Sequence, residues 1–243
     1  MAATNPRVSL DLTHVLYDET STVSSVLALL TLSPILINPA YAVLAVQTRE
    51  LFFMEMWAGQ MLCEASNWVL KNLVRQQRPN DDLGDGYGFP SSHSQWMGYF
   101  STFLICHILC RHRFVSTGWH AVDLLWKTLV LTGLVTWAGA VAFSRYYLGY
   151  HTAHQVIWGT VIGMLFGTFY YFTLEIIPDR YPQSGLGRFR TWVLSNPLSV
   201  WLRVRDGWAV WGDSGTEAQW LQWRAEWERK LKTRRSELGS KTD

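Results

Sequence analysis

The chain has 243 residues, of which 49% are hydrophobic, 14% aromatic and only 16% charged. Soluble domains carry roughly a quarter charged residues, so this composition excludes an ordinary one and points to a polytopic membrane domain with a polar tail. The net charge of +2, with Lys and Arg gathered near the end, gives no argument for a nucleic-acid partner. Cys63, Cys106 and Cys110 lie in apolar segments without paired spacing, so no disulfide framework is expected. Cys106, His107 and Cys110 share one run but lack a visible fourth ligand for a metal, and small, soft residues in a packed helix account for them.

Residues 1–22 form a polar N-terminal segment with Asp11, Asp18 and Glu19 against Arg7. They lack the basic start and short apolar core of a cleavable signal peptide, and the segment is expected to remain in the mature protein. Residues 23–46 are long enough to span a bilayer, with Pro34 and Pro39 as kinks. Residues 51–73 are interrupted by Glu55 and Glu64, yet Glu64, Asn67 and Lys71 follow at helical spacing on one face that should look inward. The expectation there is that Glu64 neutralises a buried Lys71 through Asn67.

Lys71, Arg75 and Arg78 share one side of the same helix, Lys71 and Arg78 being roughly 10 Å apart, and three cations together want an anion. Residues 80–88 read as a loop rich in Asp and Gly. Pro90-Ser91-Ser92-His93 then opens an apolar run to about residue 114; Pro and Ser are helix-start residues, so free N–H groups and hydroxyls gather beside His93 and suit a phosphate. Apolar runs follow over residues 122–143 and 154–177. Between them, Arg145 and His151 stand at a membrane boundary, where ionisable groups are costly unless they do chemistry; the bland alternative is an aromatic interfacial loop with a snorkelling arginine.

The expected fold is all-α, a polytopic transmembrane bundle of about five apolar helices over residues 23–177, with a cytosolic amphipathic tail over residues 178–243. The three polar blocks would face one side of the membrane. Arg49, Arg111, Arg113 and the basic tail would face the other, which makes the block side extracytoplasmic by the positive-inside rule. Half of the 14 tryptophans lie in the tail, and Trp220, Trp223, Trp227 and Leu231 recur on one face, as in a helix lying on a membrane or packing on the bundle.

Lys71-x6-Arg78-Pro79, Pro90-Ser91-Ser92-His93 and Ser144-Arg145-x5-His151 resemble, in order, the three-part signature of the phosphatidic acid phosphatase type 2, or lipid phosphate phosphatase, superfamily. Lys71-Asn72, the run from Pro90 to Gln95, and Tyr150-His151-Thr152 with Gln155 are similar to its dolichyl-diphosphatase branch, as are Thr13-His14-Val15 and Leu32-Ser33-Pro34. The resemblance implies that His151 attacks phosphorus, His93 protonates the leaving oxygen, and Lys71, Arg78, Ser91, Ser92 and Arg145 cradle the phosphoryl oxygens. It implies no metal or other cofactor, a polyprenyl (dolichyl) diphosphate substrate in the bilayer, a site on the lumenal side of the endoplasmic reticulum membrane, and recycling of the lipid carrier for protein N-glycosylation. The alternatives are a broader lipid phosphatase acting on phosphatidate or other prenyl diphosphates, and a non-catalytic binder of such lipids.

Two positions depart from the broad pattern, which has Gly where Ser92 stands and Asp where Gln155 stands. One helical turn puts Gln155 beside His151, where its amide oxygen accepts the imidazole N–H without offering a full charge; His154 and Asp85 are the other candidates to hold the imidazole.

Overall fold

The structure, a computed structural model, describes residues 7–10, 15–80 and 86–239. Thr13, His14, Asp81, Asp82 and Asp85 therefore lie outside the described residues. The polar N-terminal segment contains a hairpin, β1 (Arg7–Leu10) antiparallel to β2 (Val15–Asp18), with Leu10 opposite Val15. Val15 packs with Ala28, Leu148 and Tyr150, which seats the hairpin beside the loop that carries His151.

The run expected as one span folds as two helices, α1 (Thr22–Leu30) and α2 (Ser33–Thr48). Pro34 has no N–H to continue the ladder, so the chain breaks at Thr31 and Leu32 and α2 restarts with Pro34 in its first turn. Trp137 Nε1 donates to Ser33 Oγ at 2.9 Å and ties the break to a neighbouring helix. Then come α3 (Leu51–Val74), α4 (Ser92–Cys110), α5 (His120–Tyr147) and α6 (Ala153–Tyr171). A π-turn, Phe172–Ile176, joins α6 to α7 (Ile177–Arg180). Among the described residues, Thr22–Thr48, His120–Tyr147 and Ala153–Arg180 are long and apolar enough to cross a membrane. The fold is all-α in class, and it is that of a membrane protein.

Helix α4 lies at the centre, with Met97, Tyr99 and Phe103 buried against Phe52, Met56, Val141 and Tyr171. Its contact with α6 is backbone on backbone. A Cβ on Gly159 would lie 2.7 Å from the Ser91 carbonyl oxygen, one on Gly98 2.6 Å from that of Thr160, and one on Gly163 would strike the Gln95 carbonyl. Small residues four apart let membrane helices approach this closely. Gly159, Gly163 and Gly167 recur at this spacing along α6.

The end of the bundle remote from His151 is closed by α8 (Gly185–Ser195), α9 (Pro197–Leu202) and the loop after them. Arg111 at the end of α4 pairs with buried Glu175 of the π-turn, and Arg190 of α8 reaches Glu175 at 3.3 Å and Asp206 at 2.7 Å. Pro178 cannot donate to the Leu174 carbonyl, and Arg190 Nη1 takes it at 2.7 Å. Arg205 pairs with Glu50 at 2.6 Å and joins the head of α3 by backbone hydrogen bonds. Helix α10 (Thr216–Gly239) extends away, with Trp220, Trp223 and Trp227 exposed. His107 is buried with its ring 3.9 Å from that of Phe52, in an aromatic cluster with Trp208.

Candidate active site

The site forms where the end of α3, the start of α4 and the α5–α6 junction meet. After Arg145 the chain leaves α5 through Gly149, whose φ of 78° permits the sharp turn. The N–H groups of Tyr150 and His151 return to the Arg145 carbonyl at 3.1 and 3.2 Å, so arginine and histidine are fixed to one another through the backbone. The Arg145 guanidinium lies 3.9 Å over the Tyr150 ring, and its buried Nε has no partner among the described residues. Tyr150 is in turn held by the hairpin, its hydroxyl accepting from Leu16 N at 2.8 Å.

His151 Nδ1 sits 2.9 Å from the Gly88 carbonyl oxygen and 3.2 Å from Gln155 Oε1. Both are acceptors, which assigns the hydrogen to Nδ1 and leaves the Nε2 lone pair free. Gln155 is itself fixed: Oε1 accepts from Thr152 N at 3.3 Å and Nε2 donates to the Gln77 carbonyl at 2.9 Å. With Thr152 Oγ1 accepting from Gln155 N, this completes a capping box at the start of α6. Gly88 is held by its N–H on Gln76 O at 2.7 Å, and a Cβ there would lie 2.8 Å from Gln155 Nε2. Burial, with Arg145 and Arg78 acting in the same direction, holds the His151 imidazole far below its ordinary pKa, at about 3.

Lys71 Nζ donates to Ser92 Oγ at 2.7 Å, and that hydroxyl donates to Asn67 Oδ1 at 2.9 Å. Asn67 thus does not link Glu64 to Lys71 as its helical spacing suggests; its amide nitrogen goes to Gln95 Oε1 at 2.8 Å, because α4 presents that acceptor closer than Glu64 can come on its own helix. Glu64 and Lys71 still interact electrostatically. Ser91 is buried, its N–H on Gln155 O at 3.1 Å and its hydroxyl accepting from Ser94 at 3.0 Å. It occupies the N-cap of α4 without a side-chain cap bond, so the first-turn N–H groups are left for another acceptor. Arg78 Nε donates to Gly86 O at 3.3 Å.

His93 stands in the first turn of α4, within electrostatic reach of Arg145, His151 and Lys71, and bonds the backbone of Thr31 at the α1–α2 break. His93, His151, Lys71, Arg78, Ser91, Ser92, Arg145 and Gln155 are therefore all brought to one end of the bundle. His154 is placed elsewhere, exposed and stacked on Phe89 with ring centroids 5.6 Å apart. The sequence reading missed the Gly88 and Thr31 carbonyls, which carry no side-chain signal, and Tyr150 as the plate under Arg145, which the neighbouring aromatic run hides.

A cationic cradle and a neutral imidazole of fixed tautomer, with a second imidazole in electrostatic reach, have the composition that phosphoryl transfer needs. In agreement, residues 52–176 match the PAP2 superfamily. The chain is 34% identical over 200 residues to "Dolichyldiphosphatase 1" of Homo sapiens, covering 80% of each chain. It is 36% identical over 189 residues to "Dolichyldiphosphatase" of Saccharomyces cerevisiae, covering 73% of this chain and 76% of the relative. A third relative, "Dolichyldiphosphatase 1" of Dictyostelium discoideum, is 30% identical over 202 residues, 81% of each chain. No solved structure matches the chain. The chain belongs to the PAP2 superfamily and, within it, to the dolichyldiphosphatase branch.

Proposed function

We propose that the protein hydrolyses dolichyl diphosphate to dolichyl phosphate and inorganic phosphate through a phosphohistidine on His151. The observation that carries this reading is the pairing of His151 Nδ1 with the Gly88 carbonyl inside a ring of Lys71, Arg78 and Arg145. Nε2 attacks the terminal phosphorus and the bond to the bridging oxygen breaks. His93, protonated, gives its proton to that oxygen, and dolichyl phosphate leaves. Water then attacks phosphorus while His93 takes its proton, and the N–P bond breaks, releasing phosphate and restoring neutral His151. Arg145 Nε, buried without a partner among the described residues, and the first-turn N–H groups of α4 suit the equatorial oxygens that gain charge in the transition state. Lys71 acts with Ser92 as one polar unit on the same oxygens.

The lysine and arginines supply the positive charge that a divalent ion supplies in many other phosphatases, and no metal enters these steps. The helices α1–α2, α3, α4, α5 and α6 cross the endoplasmic reticulum membrane, with the site in the lumen and the tail in the cytosol. The product re-enters protein N-glycosylation as the lipid carrier. Purified full-length protein in detergent with chelator should release phosphate from dolichyl diphosphate, and His151→Ala should release none while still binding the lipid. Undiminished turnover by His151→Ala would overturn the mechanism; equal release from phosphatidate would remove the head-group specificity and leave the site standing.

A further inference from the structure

Beside His93, between α2, α3 and α4, lies a cleft of about 300 Å³ whose walls include Pro34, Ile35, Asn38, Glu64, Ser92 and Trp96. His93 lines it, whereas His151, Arg145 and Lys71 do not. In an in-line displacement the leaving group departs opposite the nucleophile, on the side of the general acid. On the function proposed above, on which this argument rests, the cleft is therefore the leaving-group side of the site.

Its walls carry donors in search of an acceptor. Asn38 Oδ1 accepts from Trp57 Nε1 at 3.2 Å, which orients the amide and leaves its NH₂ without a protein acceptor among the described contacts. Trp96 is 6% exposed, and its indole N–H is buried without a partner among the described residues. An unpaired buried donor is costly, and an anionic oxygen is the acceptor that repays it best. Glu64, the acidic group on the same wall, interacts with the Lys71 ammonium. Ile35, 53% exposed, opens the far side of the cleft to the apolar surface of the bundle.

We propose that this cleft receives the departing polyprenyl phosphate, with Asn38 and Trp96 donating to the phosphate the lipid keeps and Ile35 and Pro34 passing its chain to the bilayer. It selects diphosphates. A monophosphate lipid departs as an alcohol and leaves both donors unpaired.

Two inhibitors separate the cleft from the cradle: dolichyl phosphate fills the cleft as product, and orthovanadate fills only the phosphoryl position. In the full-length protein, Trp96→Phe keeps most of the ring without the N–H, and Asn38→Asp keeps the acceptor for Trp57 while replacing the NH₂ with a charged oxygen. Each should weaken inhibition by dolichyl phosphate about tenfold and change that by vanadate less than about twofold. Equal weakening of both inhibitors, or of neither, in protein that hydrolyses dolichyl diphosphate overturns the cleft assignment alone. Absence of hydrolysis by the unmodified protein overturns the functional reading, and the cleft assignment with it. Should Trp96→Phe fail to fold, Asn38→Asp decides.

Discussion

A histidine that attacks phosphorus must be neutral, present its lone pair outward and stay put while charge builds on its ring. At His151 the first condition is met by burial among cations, which keeps the imidazole unprotonated down to about pH 3. The other two are met by Gly88 O and Gln155 Oε1, both on Nδ1. Superfamily sites that place Asp here hold the ring with a charge; this one uses two neutral oxygens, and the backbone carbonyl is the nearer. Gln155→Glu tests that arrangement. The carboxylate favours the imidazolium, so the His151 pKa rises, the neutral fraction is lost at higher pH, and the acidic limb of kcat/KM moves upward. The variant also loses the donor to Gln77 O. Gln155→Ala keeps the Gly88 acceptor, and its kcat should fall by about ten- to a hundredfold, as for other orienting groups behind a reactive ligand. A pH profile of Gln155→Glu that overlays the parent would show that Gln155 does not address Nδ1.

What brings that histidine opposite His93 is the packing of α4 on α6, since each helix carries one of them at or just before its N-terminal turn. The axes come close because Gly98, Gly159 and Gly163 let backbone meet backbone. Gly163→Ala sets a methyl against the Gln95 carbonyl, which cannot move without disturbing the helix two residues after His93. The expected cost is about 1–3 kcal/mol of stability, read as a lower midpoint in detergent denaturation, with kcat falling as His93 and His151 move apart. Gly133→Ala, where a Cβ meets nothing, should leave both unchanged. Unaltered kcat and midpoint in Gly163→Ala would mean that this contact does not set the site.

At this scale the sequence was informative where side chains speak. Apolar runs marked α3, α5 and the continuous stretch of α6 with its π-turn to within a few residues, and Pro34 marked a bend. It was silent on the bend becoming a break, because a Thr31 backbone turned toward His93 is a product of the fold. The hairpin was equally hidden: each strand has only four residues, too few for alternation to separate from chance. The same division runs through the site. Lys71, Arg78, Arg145 and the two histidines stood out as charges where charge is costly, while the carbonyls that hold the histidines had no residue type to announce them.

The whole molecule has two unlike ends. At one, Lys71, Arg78 and Arg145 converge on the site; at the other, Arg111, Arg190 and Arg205 are consumed by Glu175, Asp206 and Glu50. Buried pairs of that kind add little net stability, but breaking one strands a charge, so the closing segment is locked to the bundle and the two ends keep a fixed relation to one another. Sidedness determined at either end therefore holds for both. The exposed charges of α10 and the Arg49, Arg111, Arg113 group favour the cytosol for the locked end. With Cys63, Cys106 and Cys110 replaced by Ser, single cysteines at exposed Gln76 and Lys232 report the two ends. In sealed microsomes, whose outer face is cytosolic, a membrane-impermeant maleimide should label Lys232→Cys at once and Gln76→Cys only after detergent. The reverse order would put the site in the cytosol, and dolichyl diphosphate released on the lumenal face could not reach His151 without first crossing the bilayer.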